Sequence, residues 1–346
     1  MGPFLDYIKS KFRVVVVDTE FQFDKSKTYP VRVVCSVYRD LTTGETFRVW
    51  ERDQNHWGNR LFDFDTTLFV CFYATAEVGC FLKTHQGRPP NIFDCWTEYA
   101  KLYKNQRPLS VLAACAAYGY PNPMSKEEKE KMRDKIIEQN TWTEVEQKQI
   151  LDYCEKDVDE TEHIFYGILK DLKRCCGDDY ETLLEQAMAR GQAMACIQKS
   201  QDNGCPIDNA LAADFNDHWT DVKHAVIQRF NKTLKLFDEN SKFSNKKFEK
   251  LIQDIGLWDW WPRTPTGKLK TNSDTLEIFE HYPEIKKFKR VKNLVDSAKL
   301  LQIIVSEDGR LRPFEGFKMF RTHTSRCAPT SKWIFGVSKW GRNIIK

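Results

Sequence analysis

Asp18 and Glu20 stand directly after four consecutive valines, and that conjunction needs a chemical explanation. Residues 14–17 are β-branched without alternation, which predicts a strand buried on both faces. In a strand, residues i and i+2 project to one face. The two carboxylates therefore converge at the strand's carboxyl end, where open α/β sheets place their ligands. Two anions that close repel unless a cation lies between them. A hard divalent ion such as Mg²⁺ or Mn²⁺ suits such oxygen ligands. The plainer reading is a strand end whose Asp and Glu point into water.

Two further acidic positions bear on that choice. In YCEKD, residues 153–157, Tyr153 and Asp157 stand at i and i+4 of a predicted helix and share one of its faces. A solvated Asp beside a half-buried Tyr is the plainer reading there. Residues 68–73 predict a strand that leads through a short turn into a helix from about Ala76, with Glu77 in its first turn. The helix dipole favours a carboxylate at that place and explains one without any chemistry. Carboxylates thus occur at a strand end, a helix start and a later helix, in that order. If Glu77 is not a ligand, Asp94 in NIFDCW is the next candidate.

The elements that must position these groups follow from pattern. Residues 31–38 and 45–50 predict strands joined by the turn LTTGE. Residues 67–73 form another apolar strand, and helical patterns dominate beyond Asp94. Residues 143–173 predict a long helix, with Thr143 and Glu146 as a capping box. The first ~175 residues therefore read as α/β with a mixed sheet. The cluster CCGDDY, residues 175–180, marks a boundary, after which helices are expected over 181–202 and from Asn209 to about Asp238. The apolar spacing of Val291, Leu294, Val295, Ala298 and Leu301 predicts a helix that turns its cations outward. Trp258, Trp260 and Trp261 read as packing anchors.

Composition bounds the rest. At 346 residues with 41% hydrophobic and 13% aromatic content, the chain has material for two domains. Mean hydropathy is −0.57, and no apolar run approaches the ~20 residues of a membrane helix. The N-terminus lacks the pattern of a secretory signal. The 11 cysteines form no CxxC or Cys/His ligand spacing, which points to reduced thiols and a cytoplasmic protein. Residues 241–346 hold 22 Lys and Arg against 11 Asp and Glu, a net of +11, while residues 1–240 carry −7. A basic half of that kind fits a polyanion.

The three acidic segments together resemble the DEDD superfamily of 3′→5′ exonucleases, in the subtype with a tyrosine in its last motif. More closely, the chain resembles the proofreading part of family A DNA polymerases of the phage type. Asp18-Thr19-Glu20 matches the family's first motif and Tyr153 to Asp157 its third. In the middle motif, Tyr73 stands near the usual Asn, Ala76 replaces an aromatic residue and Glu77 replaces the usual Asp. Residues 243–279 resemble the thumb-proximal segment. Residues 307–329 resemble the entrance to the polymerase core, with Ser325 at a usual glycine and Arg326 after it.

The resemblance implies a ribonuclease H-like exonuclease domain over residues 1–177. A mainly helical, basic, thumb-like region and the start of a polymerase domain would occupy 178–346. It implies two metal ions, Mg²⁺ or Mn²⁺: Asp18 as the bridging ligand, Glu20 and Asp157 on the ion that holds the attacking water, and Glu77 on the other through water. Tyr153 would orient the water, since a phenol of pKa about 10 is a poor base at neutral pH. Lys286, Lys287, Lys289, Arg290, Lys292, Arg321 and Arg326 are the expected DNA contacts. Phe21 and Phe23 either stack on the unstacked 3′-terminal base or pack in the core.

The expected partners are the 3′ end of single-stranded DNA and primer–template DNA, in a bacterial or phage-infected cytoplasm. Palm and fingers motifs do not follow Arg326. The expectation is therefore no primer extension by this chain alone, and a second polypeptide that docks on Trp333, Ile334, Phe335, Trp340, Ile344 and Ile345. Two other functions share the motifs: a ribonuclease D-like exoribonuclease, and a catalytically silent DNA-binding or replisome module.

Overall fold

A strand of unbroken valines can serve two cores at once, because alternate residues face opposite sides of a sheet. The structure, a computed structural model, describes residues 2–23, 30–52, 60–103, 108–299, 306, 308–312, 316–320, 322 and 326–330. Strand β1 (Arg13–Phe23) follows helix α1 (Pro3–Lys11). Its Val14 and Val16 enter one apolar cluster and Val15 and Val17 the other, on opposite faces, all essentially without solvent contact.

Strands β2 (Pro30–Asp40), β3 (Thr46–Trp50), β4 (Thr67–Cys71) and β5 (Ile92–Asp94) complete a sheet of order β3-β2-β1-β4-β5. The pairs β1–β2 and β2–β3 are antiparallel, while β4 and β5 run parallel to β1. This mixed sheet is the ribonuclease H-like arrangement expected above. Between and after these strands come α2 (Thr75–Lys83), α3 (Cys95–Tyr103), α4 (Val111–Tyr118), α5 (Lys126–Glu138), α6 (Glu144–Cys176) and α7 (Tyr180–Asn203). Thr143 caps α6 with the expected capping box: its hydroxyl accepts from Glu146 N, and Glu146 accepts from Thr143 N at 2.9 Å.

The chain divides into two compact units, Met1–Gly204 with Arg312–Thr330, and Cys205–Leu311. The division falls after α7, whereas the sequence placed a boundary at residues 175–180. Packing of α7 on the sheet explains the difference. A side chain at Gly191 would meet the Ile92 carbonyl oxygen at 2.1 Å, so only glycine allows so close an approach. Arg190 Nη2 also donates to the buried Glu98 Oε2 at 2.9 Å. The returning segment brings Met319 into the first unit's core, alongside strands β8 (Phe317–Lys318) and β9 (Ala328–Pro329).

In the second unit, β6 (Cys205–Pro206) pairs with β7 (Arg310–Leu311), and helices α8 (Asn209–Asn231), α9 (Asn245–Asp254), α10 (Ser273–Ile278) and α11 (Pro283–Lys299) surround an aromatic core. Helix α8 stops at Asn231 instead of continuing to about Asp238. The Asn231 amide receives Phe237 N–H at 3.2 Å and donates to its carbonyl at 3.1 Å, which turns Leu236 and Phe237 into the core. Of the three tryptophans, Trp261 is buried and donates to Lys270 O at 2.8 Å. Trp258 is half-buried under the Arg263 guanidinium, and Trp260, expected as an anchor, is 78% exposed. Leu294, expected on the apolar face of α11, is also exposed. All 11 cysteines are free thiols.

Candidate active site

The sheet delivers Asp18 and Glu20 from the middle of β1 into a cleft of about 410 Å³ that Phe72, Tyr73, Glu77, Tyr153 and Asp157 also line. All five residues that the sequence marks for catalysis (Asp18, Glu20, Glu77, Tyr153 and Asp157) therefore meet in one concavity of the first unit. Tyr153 and Asp157 come from one face of α6, one turn apart, as their spacing requires. Glu77 comes from the first turn of α2.

Burial gives the cluster its electrostatic character. Desolvation is the main force that raises the Asp18 carboxyl from its ordinary value to about 7, and the neighbouring Asp157 charge adds to it. Glu20 is pushed well up by burial and then by Asp18, and Glu77 by the same two causes. Glu77 Oε2 is a buried oxygen with no hydrogen-bond partner. A buried carboxyl oxygen without a partner is a costly feature for a fold to keep. Asp157 is likewise raised by burial, against the opposing pull of Lys129. The Tyr153 phenol is pushed up by burial and by Glu20, which favours its protonated form.

Asp94, the fallback for Glu77, has a different job. Its Oδ2 accepts Ala74 N–H at 2.6 Å and its Oδ1 accepts Thr97 N–H at 2.6 Å. It thus ties the entry of α2 to the start of α3. Burial raises it to about 6, and those backbone bonds oppose the rise.

Phe21 and Phe23 line the cleft, with ring centroids 6.4 Å apart. Strict alternation would turn them away from Glu20. The register slips between Glu20 and Phe21, and again between Gln22 and Phe23, and these irregularities re-aim the side chains. Both side chains are half-buried.

Three residues at the site were missed from the sequence. Lys129 is buried; its ammonium contacts Asp157 and donates to Glu160 Oε2 at 2.8 Å. Arg133, four residues on, lines the cleft from an exposed position. The i, i+4 spacing of Lys129 and Arg133 after the Ser125–Glu128 capping box was a readable signal. Cys154, inside the third acidic segment, donates from Sγ to the Asp18 carbonyl and to Asp18 Oδ2, both at 3.4 Å. Asp18, Glu20 and Cys154 offer ligand atoms that all lie within 4.8 Å of one another.

The expected DNA contacts are disposed unevenly. Lys286, Lys287 and Arg290 are exposed on α11. Lys289 is engaged by Glu280 at 2.7 Å and Glu277 at 3.6 Å. Lys292 lines a separate hollow of about 340 Å³ with Lys223, Lys242, Phe243 and Phe288. Arg326 belongs to the first unit and is exposed. Arg321, Ser325, Leu301 and the proposed docking residues Trp333, Ile334, Phe335, Trp340, Ile344 and Ile345 lie outside the described residues. Among the described residues, no helix is long and apolar enough to cross a membrane.

No protein-family model and no curated protein matches the sequence. Among solved structures, the chain is similar to the POL domain of Pol1 from M. smegmatis in complex with DNA primer-template and dNTP. The TM-score is 0.61 over 99% of this chain, at 13% sequence identity. This chain spans 56% of that chain's length. The fold is therefore polymerase-like.

Proposed function

We propose that this chain is the metal-dependent 3′→5′ exonuclease part of a family A DNA polymerase and removes nucleotides from DNA 3′ ends during replication. The observation that carries the reading is the meeting of Asp18, Glu20, Glu77 and Asp157 with Tyr153 in one cleft, with a Glu77 oxygen buried and unpartnered. Four clustered carboxylates, Glu77 buried and the other three only partly exposed, cost folding free energy. A module that only bound DNA would have no use for them. The likeness to a Pol1 domain supports the polymerase side of the reading.

Asp18, Glu20, Glu77 and Asp157 would hold the divalent ions, Mg²⁺ or Mn²⁺. When bound, two such ions would supply an activated water and neutralise charge on the leaving 3′ oxygen. The chain's own groups do the rest. Tyr153 keeps its proton and donates a hydrogen bond that aims the attacking water at phosphorus. Phe21, Phe23 and Tyr73 offer aromatic faces to the terminal base once it is unstacked. Arg133, an exposed residue that lines the cleft, would meet the phosphate of the next nucleotide. In the second unit, Lys286, Lys287 and Arg290 hold the backbone of primer–template DNA.

The test is mononucleotide release by the purified chain from matched single-stranded DNA and RNA, with EDTA, Mg²⁺ or Mn²⁺. Metal-dependent release from DNA supports the reading. Release from RNA alone would transfer it to the exoribonuclease class, and no release from either would leave a binding module.

A further inference from the structure

Lys129 is a buried cation in contact with Asp157, one of the residues that line the carboxylate cleft. It comes from the first turn of α5, is 8% exposed, and its Nζ lies between Asp157 Oδ1 and Glu160 Oε2, the latter at 2.8 Å. Glu160 is 1% exposed, and its other oxygen accepts Met124 N–H at 3.0 Å. Helix α5 cannot drift from this position easily. Gln22 of β1 donates to Ile136 O at 2.8 Å and Gln139 O at 2.6 Å, which pins the far end of α5 to the strand that carries Asp18 and Glu20. Burial works against the ammonium charge, and the Asp157 and Glu160 carboxylates outweigh it. Glu77 Oε2, by contrast, is buried with no hydrogen-bond partner among the described residues.

We propose that Lys129 is the resident counter-ion of the cleft: its ammonium holds Asp157 from the protein side, keeps the cluster folded without divalent ions, and competes with an incoming ion for Asp157. This rests on the metal-dependent reading above. The bland role for the same residue is neutralisation of Glu160 alone. The two differ in one consequence. A counter-ion repels and competes with a divalent ion, so its removal strengthens metal binding. A neutraliser of Glu160 leaves metal binding unchanged.

The test compares the full chain with Lys129→Met by Mn²⁺ titration, read as loss of the free-ion paramagnetic resonance signal, and by thermal unfolding in EDTA and in Mn²⁺. The expected result is a lower Tm in EDTA, Mn²⁺ binding about tenfold tighter than in the parent, and a larger rise in Tm on adding Mn²⁺. If Lys129→Met does not fold, the pair Lys129→Met/Glu160→Gln replaces it. That pair removes one buried cation and one buried anion together, and its Mn²⁺ binding is also expected to tighten. Equal or weaker Mn²⁺ binding in the folded variant overturns the inference and leaves the metal reading intact. No Mn²⁺ binding by the parent or the variant overturns the metal reading and this inference with it.

Discussion

In the unit formed by Met1–Gly204 and Arg312–Thr330, Asp18, Glu20, Glu77 and Asp157 turn inward on one cleft. In Cys205–Leu311, the cations Lys286, Lys287 and Arg290 stay on the outside of α11, over a core of Phe, Trp and Leu side chains. Burial of like charges costs stability, and exposure of cations costs almost none. The inward cluster thus demands an explanation that the outward one does not. A chemical task is assigned with more force to the first unit than to the second. The largest effects of mutation should fall on activity in the first unit, and the smallest on affinity in the second.

The sharpest way to break this contrast is to delete a direct ligand. Asp18→Ala or Asp157→Ala should bring 3′ nucleotide release to background, measured on a labelled oligonucleotide, while binding of primer–template DNA persists. Next come the groups that position. Tyr153→Phe should slow release by roughly the 10²–10³ expected when one aimed hydrogen bond is removed. Glu77→Gln should cripple turnover, and Glu77→Asp should retain part of it.

A stability measurement probes the same cluster with the opposite sign. The Asp18 carboxyl sits at about 7 in the folded chain, against an ordinary value of 3.8. The metal-free folded state therefore binds that proton more tightly than the unfolded state does. The associated stability is full below about pH 4 and is lost as pH rises through 7. Thermal unfolding in EDTA should show Tm falling between pH 5 and pH 8 from this cause. Asp18→Asn cannot ionise, so it should flatten that part of the profile and unfold at a higher temperature than the parent at pH 8, while it loses activity.

The smallest effect belongs to the second unit. Lys286→Ala/Lys287→Ala/Arg290→Ala should weaken DNA binding and reduce the salt slope by about 0.7–0.9 for each phosphate that is no longer neutralised. Lys289→Ala should leave that slope unchanged, because its ammonium is held by Glu277 and Glu280.

Much of the first unit was legible because its signals are local. The valine run, the LTTGE hairpin and the Thr143 capping box each fix an element within a few residues, and the structure has each of them. The i, i+2 and i, i+4 spacings then placed Asp18 with Glu20 and Tyr153 with Asp157. What stayed hidden was set by packing between segments distant in sequence. The slip in register after Glu20 turned Phe21 and Phe23 into the cleft, and nothing in FQF announces a bulge. Lys129 reads as one charge in a polar helix until α5 is laid against α6. The place of α7 depends on Gly191 meeting Ile92, about a hundred residues apart. In the second unit, Trp260 and Leu294 show the reverse failure: apolar residues were assigned to a core that did not need them.

Single-stranded DNA labelled at its 5′ end is incubated with the full chain and Mn²⁺, beside Asp18→Ala and Asp157→Ala, and the products are sized over time. The expected product is a ladder that shortens one nucleotide at a time from the 3′ end, absent in EDTA and in both variants. An intact substrate with the parent chain, internal cuts, or the same ladder from the variants would contradict the exonuclease reading.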